Sequence, residues 1–220
     1  MKLHFLVEGP ADAAFLERLL PRLIPRHRWQ VYPHEGRGRL PGKLVAPPDA
    51  KRRGLLDNLP AKLSAWGKTF DPATDRVVVV LDQDIDDCKE LLAKLGRMYA
   101  HLSSRPQAIF RLAIEETESW YLGDAKAVQR AFPKADGRKL ATWRPDSVDR
   151  TWEKFQEIIR AAADDKVAWG EAMGQVLAVD EPLDRKNRSP SFRKFCRRVR
   201  EHAGEPVRTA RHQGGSRRSR

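Results

Sequence analysis

Residues 76–82, RVVVVLD, decide the expected fold of this chain. Four consecutive valines followed by Leu81 place apolar side chains on both faces of a strand, which is typical of a central strand in a parallel sheet. Such a strand needs helices packed above and below the sheet. The stretch therefore predicts an α/β protein, and it ends on an acidic residue, Asp82.

Three more apolar stretches predict the other strands of the sheet: 3–7 (LHFLV), 29–33 (WQVYP) and 107–114 (QAIFRLAI). Apolar residues at helical spacing predict helices between and after them, over about 10–23, 54–66, 87–102 and 120–132. This alternation of strand and helix indicates a parallel sheet with right-handed crossovers. Pro21 and Pro25 are expected to end the first helix, and Pro60 to kink or start the second.

The chain is expected to divide into three parts. Residues 1–132 form the α/β core, a Rossmann-like parallel sheet flanked by helices. Strand patterns stop after Pro133, so 133–207 are expected to form a C-terminal helical elaboration. The last residues, 208–220, contain five arginines and no acid, and we expect a disordered basic tail.

The charge of the chain favours an anionic partner. The 220 residues include 42 basic and 30 acidic side chains, a net charge of +12, and residues 185–200 hold eight basic side chains without an acid. Nucleic acid is the first partner to consider. The alternative is a protein from a host whose proteins are rich in arginine.

No membrane segment or zinc site is expected. The longest apolar run, Val77 to Leu81, is far too short to cross a membrane, and the apolar stretch before Glu8 is too short for a signal peptide. Cys88 and Cys196 lie in no metal-binding pattern, and two isolated thiols fit a reduced cytoplasm. A cytoplasmic location is therefore expected.

Acidic residues follow three of the predicted strands directly: Glu8 the first, Asp82 and Asp84 the third, Glu116 and Glu118 the fourth. The carboxyl ends of parallel strands meet at one edge of a sheet, where ligands bind. Carboxylates gathered there raise one another's pKa unless a cation neutralises them. Oxygen ligands suit a hard cation, and Mg²⁺, or Mn²⁺ in its place, is expected where phosphates are handled.

Each acidic segment, taken alone, has a simpler explanation. Glu8-Gly9 fits a strand-to-helix turn, DQDID (82–86) a solvated turn, and IEETES (114–119) an exposed start of a helix. A calcium loop of the EF-hand type is not indicated, because Asp87 and Ala93 stand where its Gly and Glu are required. It is the occurrence of all three segments after strands that favours a metal site.

Two groups of basic residues are predicted to contact a nucleic-acid backbone. The first lies in the loop after the second strand and consists of Arg37, Arg39 and Lys43. The second lies on the last helix and consists of Arg193, Lys194 and Arg197. A solvated basic face is the alternative for the second group. The loop lacks the G-x-x-x-x-G-K-[ST] pattern, so a phosphate-binding loop for ATP is not indicated.

The chain resembles a bacterial family known as domain of unknown function 4276, which is similar to Toprim domains. The motifs that carry this resemblance are LVEGPAD (6–12), LLDNLPAKL (55–63), VVVLDQDIDDC (78–88), AIEETESWYLGD (113–124) and NRSPSF (187–192). Toprim domains of topoisomerases, primases and overcoming-lysogenization-defect nucleases have Glu-Gly after one strand and Asp-x-Asp after another. In those nucleases a further acid follows four positions after the Glu; here it is Asp12, where Glu is commoner.

The resemblance to those nucleases implies roles for the acidic residues. Glu8 would act as general acid/base or hold a metal, Asp82 and Asp84 would hold Mg²⁺, and Asp12, Glu116 and Glu118 would complete a second metal site. It implies a Toprim-like fold and a Mg²⁺-dependent nuclease for DNA or RNA, an antiphage effector working with an AAA-type ATPase. Two alternatives stay open: a non-catalytic nucleic-acid-binding or regulatory module, and another phosphotransfer enzyme, such as a phosphatase with Asp82 as nucleophile.

Overall fold

A computed structural model describes residues 1–42, 51–83, 87–147 and 150–205. Its four strands are β1 (Lys2–Val7), β2 (Arg28–Pro33), β3 (Asp75–Asp82) and β4 (Ala108–Ala113). They form one sheet in the order β2-β1-β3-β4, and all three neighbouring pairs are parallel. The predicted α/β class and parallel sheet are confirmed, and β3, the valine-rich stretch, is a central strand.

The described part of the chain contains nine α-helices, which cover both faces of the sheet. They are α1 (Pro10–Leu23), α2 (Leu55–Thr69), α3 (Cys88–His101), α4 (Glu118–Leu122), α5 (Ala125–Ala131), α6 (Gly137–Thr142), α7 (Thr151–Ile159), α8 (Lys166–Val176) and α9 (Pro190–His202). Asp87 caps α3, as a side-chain oxygen accepts from two backbone N–H groups of its first turn. Within the described ranges, no helix has the length and apolar character needed to cross a membrane.

Two details of the helices differ from the expectation. Pro21 does not end α1 as expected but lies inside it. The helix continues to Leu23, whose side chain is buried in the core. One helix was expected over 120–132, but the structure has two, α4 and α5, because the helix is interrupted at Gly123 and Asp124. The Asp124 side chain accepts from the backbone N–H of Ala127 and so begins α5 as a new helix.

Alternation along the strands divides the core into two clusters, one on each face of the sheet. On β3, Val78 and Val80 pack with α1 and the helices from α4 onward, while Val77, Val79 and Leu81 pack with α2 and α3. Asp82 continues the first series. Its side chain therefore points to the face that carries α1 and α4.

The C-terminal helices share the first of these clusters with the sheet. Trp120 of α4 is fully buried, stacks on Phe195 of α9 at 4.8 Å between ring centroids, and donates its indole N–H to Ser191 at 2.8 Å. Trp120 is thus a core residue, as the apolar spacing of Trp120, Leu122 and Val128 predicts. The boundary between 132 and 133 stays a prediction, and the tail at 208–220 lies outside the described residues.

Helix α8 crosses α1 at very short range because two glycines face the crossing. A Cβ on Gly170 would lie 2.7 Å from the carbonyl oxygen of Ala11, and one on Gly174 would clash with the carbonyl oxygen of Phe15. This close packing fixes the start of α8, including Lys166, against the helix that follows the first acidic strand end.

Candidate functional site

The ends of β1 and β3 are joined by an acidic side chain. Glu8 follows β1 directly, and its Oε1 accepts a hydrogen bond of 2.9 Å from the backbone N–H of Asp82, the last residue of β3. The two neighbouring strand ends thus present two carboxylates side by side, as the sequence predicted.

Asp12, in the first turn of α1, joins them through a threonine. Its Oδ2 accepts from the backbone N–H of Gly9 at 3.2 Å, which holds the carboxylate toward the sheet edge. The Thr117 hydroxyl lies 2.8 Å from Asp12 Oδ1 and 3.2 Å from Asp82 Oδ1. The Thr117 hydroxyl has one proton to donate, so it donates a hydrogen bond to one of the two carboxylates. It accepts a hydrogen bond from the other side chain only when that carboxyl is protonated.

The pKa values of Asp12 and Asp82 are both raised, and burial is the largest cause in each case. Burial raises the pKa of Asp82 well above its usual range, and repulsion from Asp12, Glu8, Glu118 and Glu116 adds to it. Burial likewise raises the pKa of Asp12. The side chains therefore form one electrostatic cluster, which we call the acidic edge: Glu8, Asp12, Asp82, Glu116 and Glu118.

Glu118 is the least solvent-exposed acid of the cluster. It begins α4, is 5% exposed, and burial raises its pKa to about 7 against the opposing attraction of Lys166. An acid of this kind is kept in the interior when a cation or a proton accompanies it.

The two glutamates before Thr117 are used differently. Glu115 adopts a positive φ of 60° and accepts from the backbone N–H of Thr151 at 2.9 Å, while Glu116 accepts from that of Trp152 at 3.1 Å. Together they cover the N-terminus of α7, where negative charge is favourable. Glu116 belongs to the cluster electrostatically, but one of its oxygens is bound to the start of α7.

Lys166 supplies the positive charge of this edge. Its Nζ lies 3.4 Å from Glu116 Oε1 and 4.5 Å from the centre of the Trp152 ring, and its charge also opposes the raised pKa values of Asp12 and Glu118. Sequence reasoning missed both Lys166 and Thr117. Thr117 has a signal, since it lies between two of the predicted acids; Lys166, fifty positions from Glu116, has none.

The donor set suits a hard cation bound with water and phosphate. Within residues 1–42, 51–83, 87–147 and 150–205, no three His, Cys, Asp or Glu side chains are grouped closely enough to hold a metal ion on their own. Mg²⁺ is commonly held by one or two carboxylates, with waters and substrate phosphates as the other ligands. The Asp12–Asp82 pair fits that arrangement, and Asp84, a further predicted ligand, lies outside the described residues.

One of the predicted basic residues reaches the acidic edge. Arg37 lies 3.5 Å, through Nη1, from the carbonyl oxygen of Gln83, the residue after β3. The backbone N–H of Arg39 donates to Asp57, and Arg193 donates to the carbonyl of Asn187, whereas the side chains of Lys194 and Arg197 are exposed on α9. Lys43 lies outside the described residues.

Comparison with known proteins gives a family and no function. A family model described as a domain of unknown function, DUF4276, matches residues 7–200, which include every described residue of the acidic edge. No curated protein and no solved structure matches the chain.

Proposed function

Because the chain belongs to the DUF4276 family, whose description states no activity, we propose its function from the site itself: a Mg²⁺-dependent nuclease that hydrolyses phosphodiester bonds in DNA or RNA. One observation carries the proposal. The acidic edge gathers five carboxylates, the pKa values of Asp12, Asp82, Glu116 and Glu118 are raised, and among the described residues Lys166 provides an opposing positive charge. That excess of negative charge calls for a cation in a protein whose net charge is +12.

The proposed roles of the described residues follow from where their side chains lie. Asp12 and Asp82, bridged by Thr117, would hold Mg²⁺, and Glu116 and Glu118 would complete a second metal site. A role for Asp84 beside Asp82 rests on the family resemblance. When bound, the metal lowers the pKa of a water molecule and offsets the charge of the phosphate. Glu8, fixed beside Asp82, takes the proton of the attacking water. As the bond from the water oxygen to phosphorus forms and the bond from phosphorus to the leaving oxygen breaks, the leaving oxygen takes a proton from solvent water, and Glu8 returns its proton to solvent afterwards.

Lys166 and Arg37 extend this site toward the substrate. Both cations lie at the carboxyl edge of the sheet, where a phosphate would approach the carboxylates. A phosphate is attracted to such cations, and they reduce the repulsion between substrate and acidic edge. A Toprim relationship is part of this proposal, supported by the Glu-Gly and Asp-x-Asp motifs at the ends of β1 and β3.

The setting of the activity is also proposed. Two free thiols, Cys88 and Cys196, support a cytoplasmic location. An AAA-type ATPase partner and a role in antiphage defence are supported by the family resemblance alone. Co-purification of the tagged chain from its host, with and without Mg²⁺ and ATP, tests the partner.

The test of activity compares isosteric variants of the acidic edge. Wild type, Asp82→Asn and Asp12→Asn are incubated with duplex DNA, single-stranded DNA and RNA in Mg²⁺, in Mn²⁺ and in EDTA. Asparagine keeps an oxygen for the Thr117 hydroxyl and removes the charge. We expect wild type to cut at least one substrate and each variant to lose about 100-fold or more in rate. Equal cutting by wild type and both variants would contradict the proposal.

A non-catalytic nucleic-acid-binding module is the second candidate function. The observation that favours it is that the described residues contain no group of three side chains placed to hold a metal by themselves. It predicts salt-sensitive binding of nucleic acid that survives in Asp82→Asn, and no cutting by any form of the protein.

A further inference from the structure

A groove of about 900 Å³ lies among the helices, and none of the acidic-edge residues lines it. It is lined by side chains from the last turns of α1 and α8, from α5 and from the segment 178–188. Six of these side chains are basic: Arg22, Lys126, Arg130, Arg185, Lys186 and Arg188. Three of them, Arg185, Lys186 and Arg188, come from the basic stretch 185–200, and the fold brings Arg22, Lys126 and Arg130 to it from distant positions.

The acids that line the groove do not balance this charge. Asp124 is 3% exposed, and its two oxygens accept from the backbone N–H groups of Ala127 and Ala178. Asp180 is exposed and lies 3.8 Å from Lys186, so it offsets about one positive charge. The surface that faces solvent is therefore strongly positive.

Two of the arginines are fixed in place by the end of α8. Arg22 donates to the carbonyl oxygens of Gly174 at 3.0 Å and Leu177 at 2.8 Å, and Arg130 donates to that of Val176 at 2.8 Å. Each guanidinium has five N–H donors, so both keep donors for a ligand. Because the helix already orders them, a ligand that binds here loses less side-chain entropy.

We propose that this groove binds the phosphate backbone of a nucleic acid, without regard to base sequence. Guanidinium groups match phosphate oxygens in geometry and charge, and the amides of Gln129 and Gln175 in the same lining add neutral donors. None of the described residues that line the groove is aromatic, so it offers no surface on which a base would stack.

An acidic peptide fits the groove less well. Arginine clusters also bind acidic motifs, but peptide recognition commonly adds apolar pockets for anchoring side chains or an open strand edge. Among the described residues that line the groove, the apolar side chains are small, namely Ala125, Val176 and Ala178, and none of these residues lies in a strand. Charge without apolar anchors favours a polymer whose charge lies on its backbone.

The inference rests on the proposed function, because it supplies a surface that holds the substrate outside the cutting site. Helix α4 joins the two places: Glu118 of the acidic edge begins it, and Gly123 and Asp124, which follow it, line the groove. A nucleic acid bound in the groove would therefore contact the end of the helix whose first residue is Glu118 of the acidic edge.

The test removes three exposed charges of the groove in the full-length protein. The variant is Lys126→Gln/Arg185→Gln/Lys186→Gln, which spares the structural Arg22 and Arg130. The matched control is Lys68→Gln/Lys94→Gln/Arg97→Gln, three exposed residues on α2 and α3, beyond the other face of the sheet. Thermal melting checks that both variants are folded, and fluorescence anisotropy measures binding of a labelled duplex of about 30 base pairs in EDTA, from about 50 to about 200 mM salt.

We expect the groove variant to bind at least about tenfold more weakly and to lose about 2.7 from the slope of log K against log salt, since each phosphate contact contributes about 0.9. The control should match wild type. The proposal is overturned if the groove variant keeps wild-type affinity and slope, or if the control loses as much. It is also overturned if polyglutamate displaces the duplex as well as unlabelled duplex does.

Cutting assays separate this proposal from the nuclease proposal. If wild type cuts nothing while the groove variant alone loses binding, the groove is supported and the nuclease function is rejected. If wild type cuts, the groove variant should have a raised KM and an unchanged kcat, whereas Asp82→Asn should lose kcat and keep its affinity for the duplex.

Discussion

An oxygen of the Glu8 side chain lies 2.9 Å from the backbone nitrogen of Asp82, so the acid that follows β1 is fixed to the last residue of β3. The same side chain adds, after burial and Asp12, to the rise in the pKa of Asp82. Glu8 therefore has a structural contact and a charge, and the two are separable by substitution.

Glu8→Gln keeps an oxygen that accepts the Asp82 N–H and removes the charge. We expect its free energy of unfolding to stay within about 0.5 kcal/mol of wild type, while Mg²⁺-dependent cutting falls by about 100-fold. Glu8→Ala leaves the N–H without this acceptor and should also lose about 1–3 kcal/mol of stability. Urea unfolding and a cleavage assay measure the two effects. Full cutting activity in Glu8→Gln would remove Glu8 from the chemistry.

Thr117 is expected to tune metal binding through Asp12 and Asp82. Its hydrogen bond opposes the effect of burial on the pKa of Asp12, so loss of the hydroxyl in Thr117→Val should raise that pKa further. Metal binding requires the ionised carboxylate, so the Mg²⁺ concentration for half-maximal cutting should rise about tenfold or more. Thr117→Ser keeps the hydroxyl and is the matched control. An unchanged Mg²⁺ requirement in Thr117→Val, or a shift in Thr117→Ser as large as in Thr117→Val, would mean that the hydrogen bond of the hydroxyl does not by itself tune metal binding.

The sequence was sufficient to predict the sheet and the meeting of Glu8 and Asp82 at one edge of it. Five consecutive apolar residues predict β3, and strand ends that carry Glu8 and Asp82 meet at one edge in any parallel sheet, whatever the strand order. The cap at Asp87 and the burial of Trp120 also follow from local pattern, because capping and apolar periodicity depend on near neighbours.

The rest of the site depends on contacts between distant parts of the chain. Glu116 and Glu118 are two positions apart in one motif, yet one covers the start of α7 and the other is buried at the acidic edge. Lys166 reaches Glu116 only because α8 packs closely on α1. The basic groove likewise gathers Arg22 and Arg188 from opposite parts of the sequence, which no local pattern indicates.

The stability of the metal-free protein should fall as the pH rises. Burial raises the pKa of Glu118 from 4.5 to about 7, so its contribution is fully present below 4.5 and is lost as the pH rises through about 7. A shift of this size corresponds to about 3 kcal/mol. Melting temperatures in EDTA from about pH 5 to about pH 8 should therefore decrease in wild type and decrease less in Glu118→Gln. Parallel pH profiles for the two proteins would show that Glu118 titrates normally.

At the close crossing of α8 over α1, the expected effect of a Gly→Ala substitution on stability is opposite to the effect that helix propensity predicts. Alanine in place of glycine inside a helix usually stabilises by about 0.5–1 kcal/mol. Gly96, inside α3, has no atom within 4 Å of the position a Cβ would take, so Gly96→Ala should show that gain. At Gly170 the Cβ would lie 2.7 Å from the Ala11 carbonyl oxygen, which is backbone and cannot move aside alone.

We therefore expect Gly170→Ala to lose about 1–3 kcal/mol in urea unfolding, the usual cost of overpacking. Because the same crossing holds Lys166 beside Glu116, the variant should also cut more slowly than Gly96→Ala under conditions in which both are fully folded. A Gly170→Ala protein as stable as Gly96→Ala would mean that the two helices are not in such close contact. A Gly170→Ala protein with normal stability and slow cutting would also contradict the prediction, because the expected displacement of Lys166 comes from disturbed packing between α8 and α1.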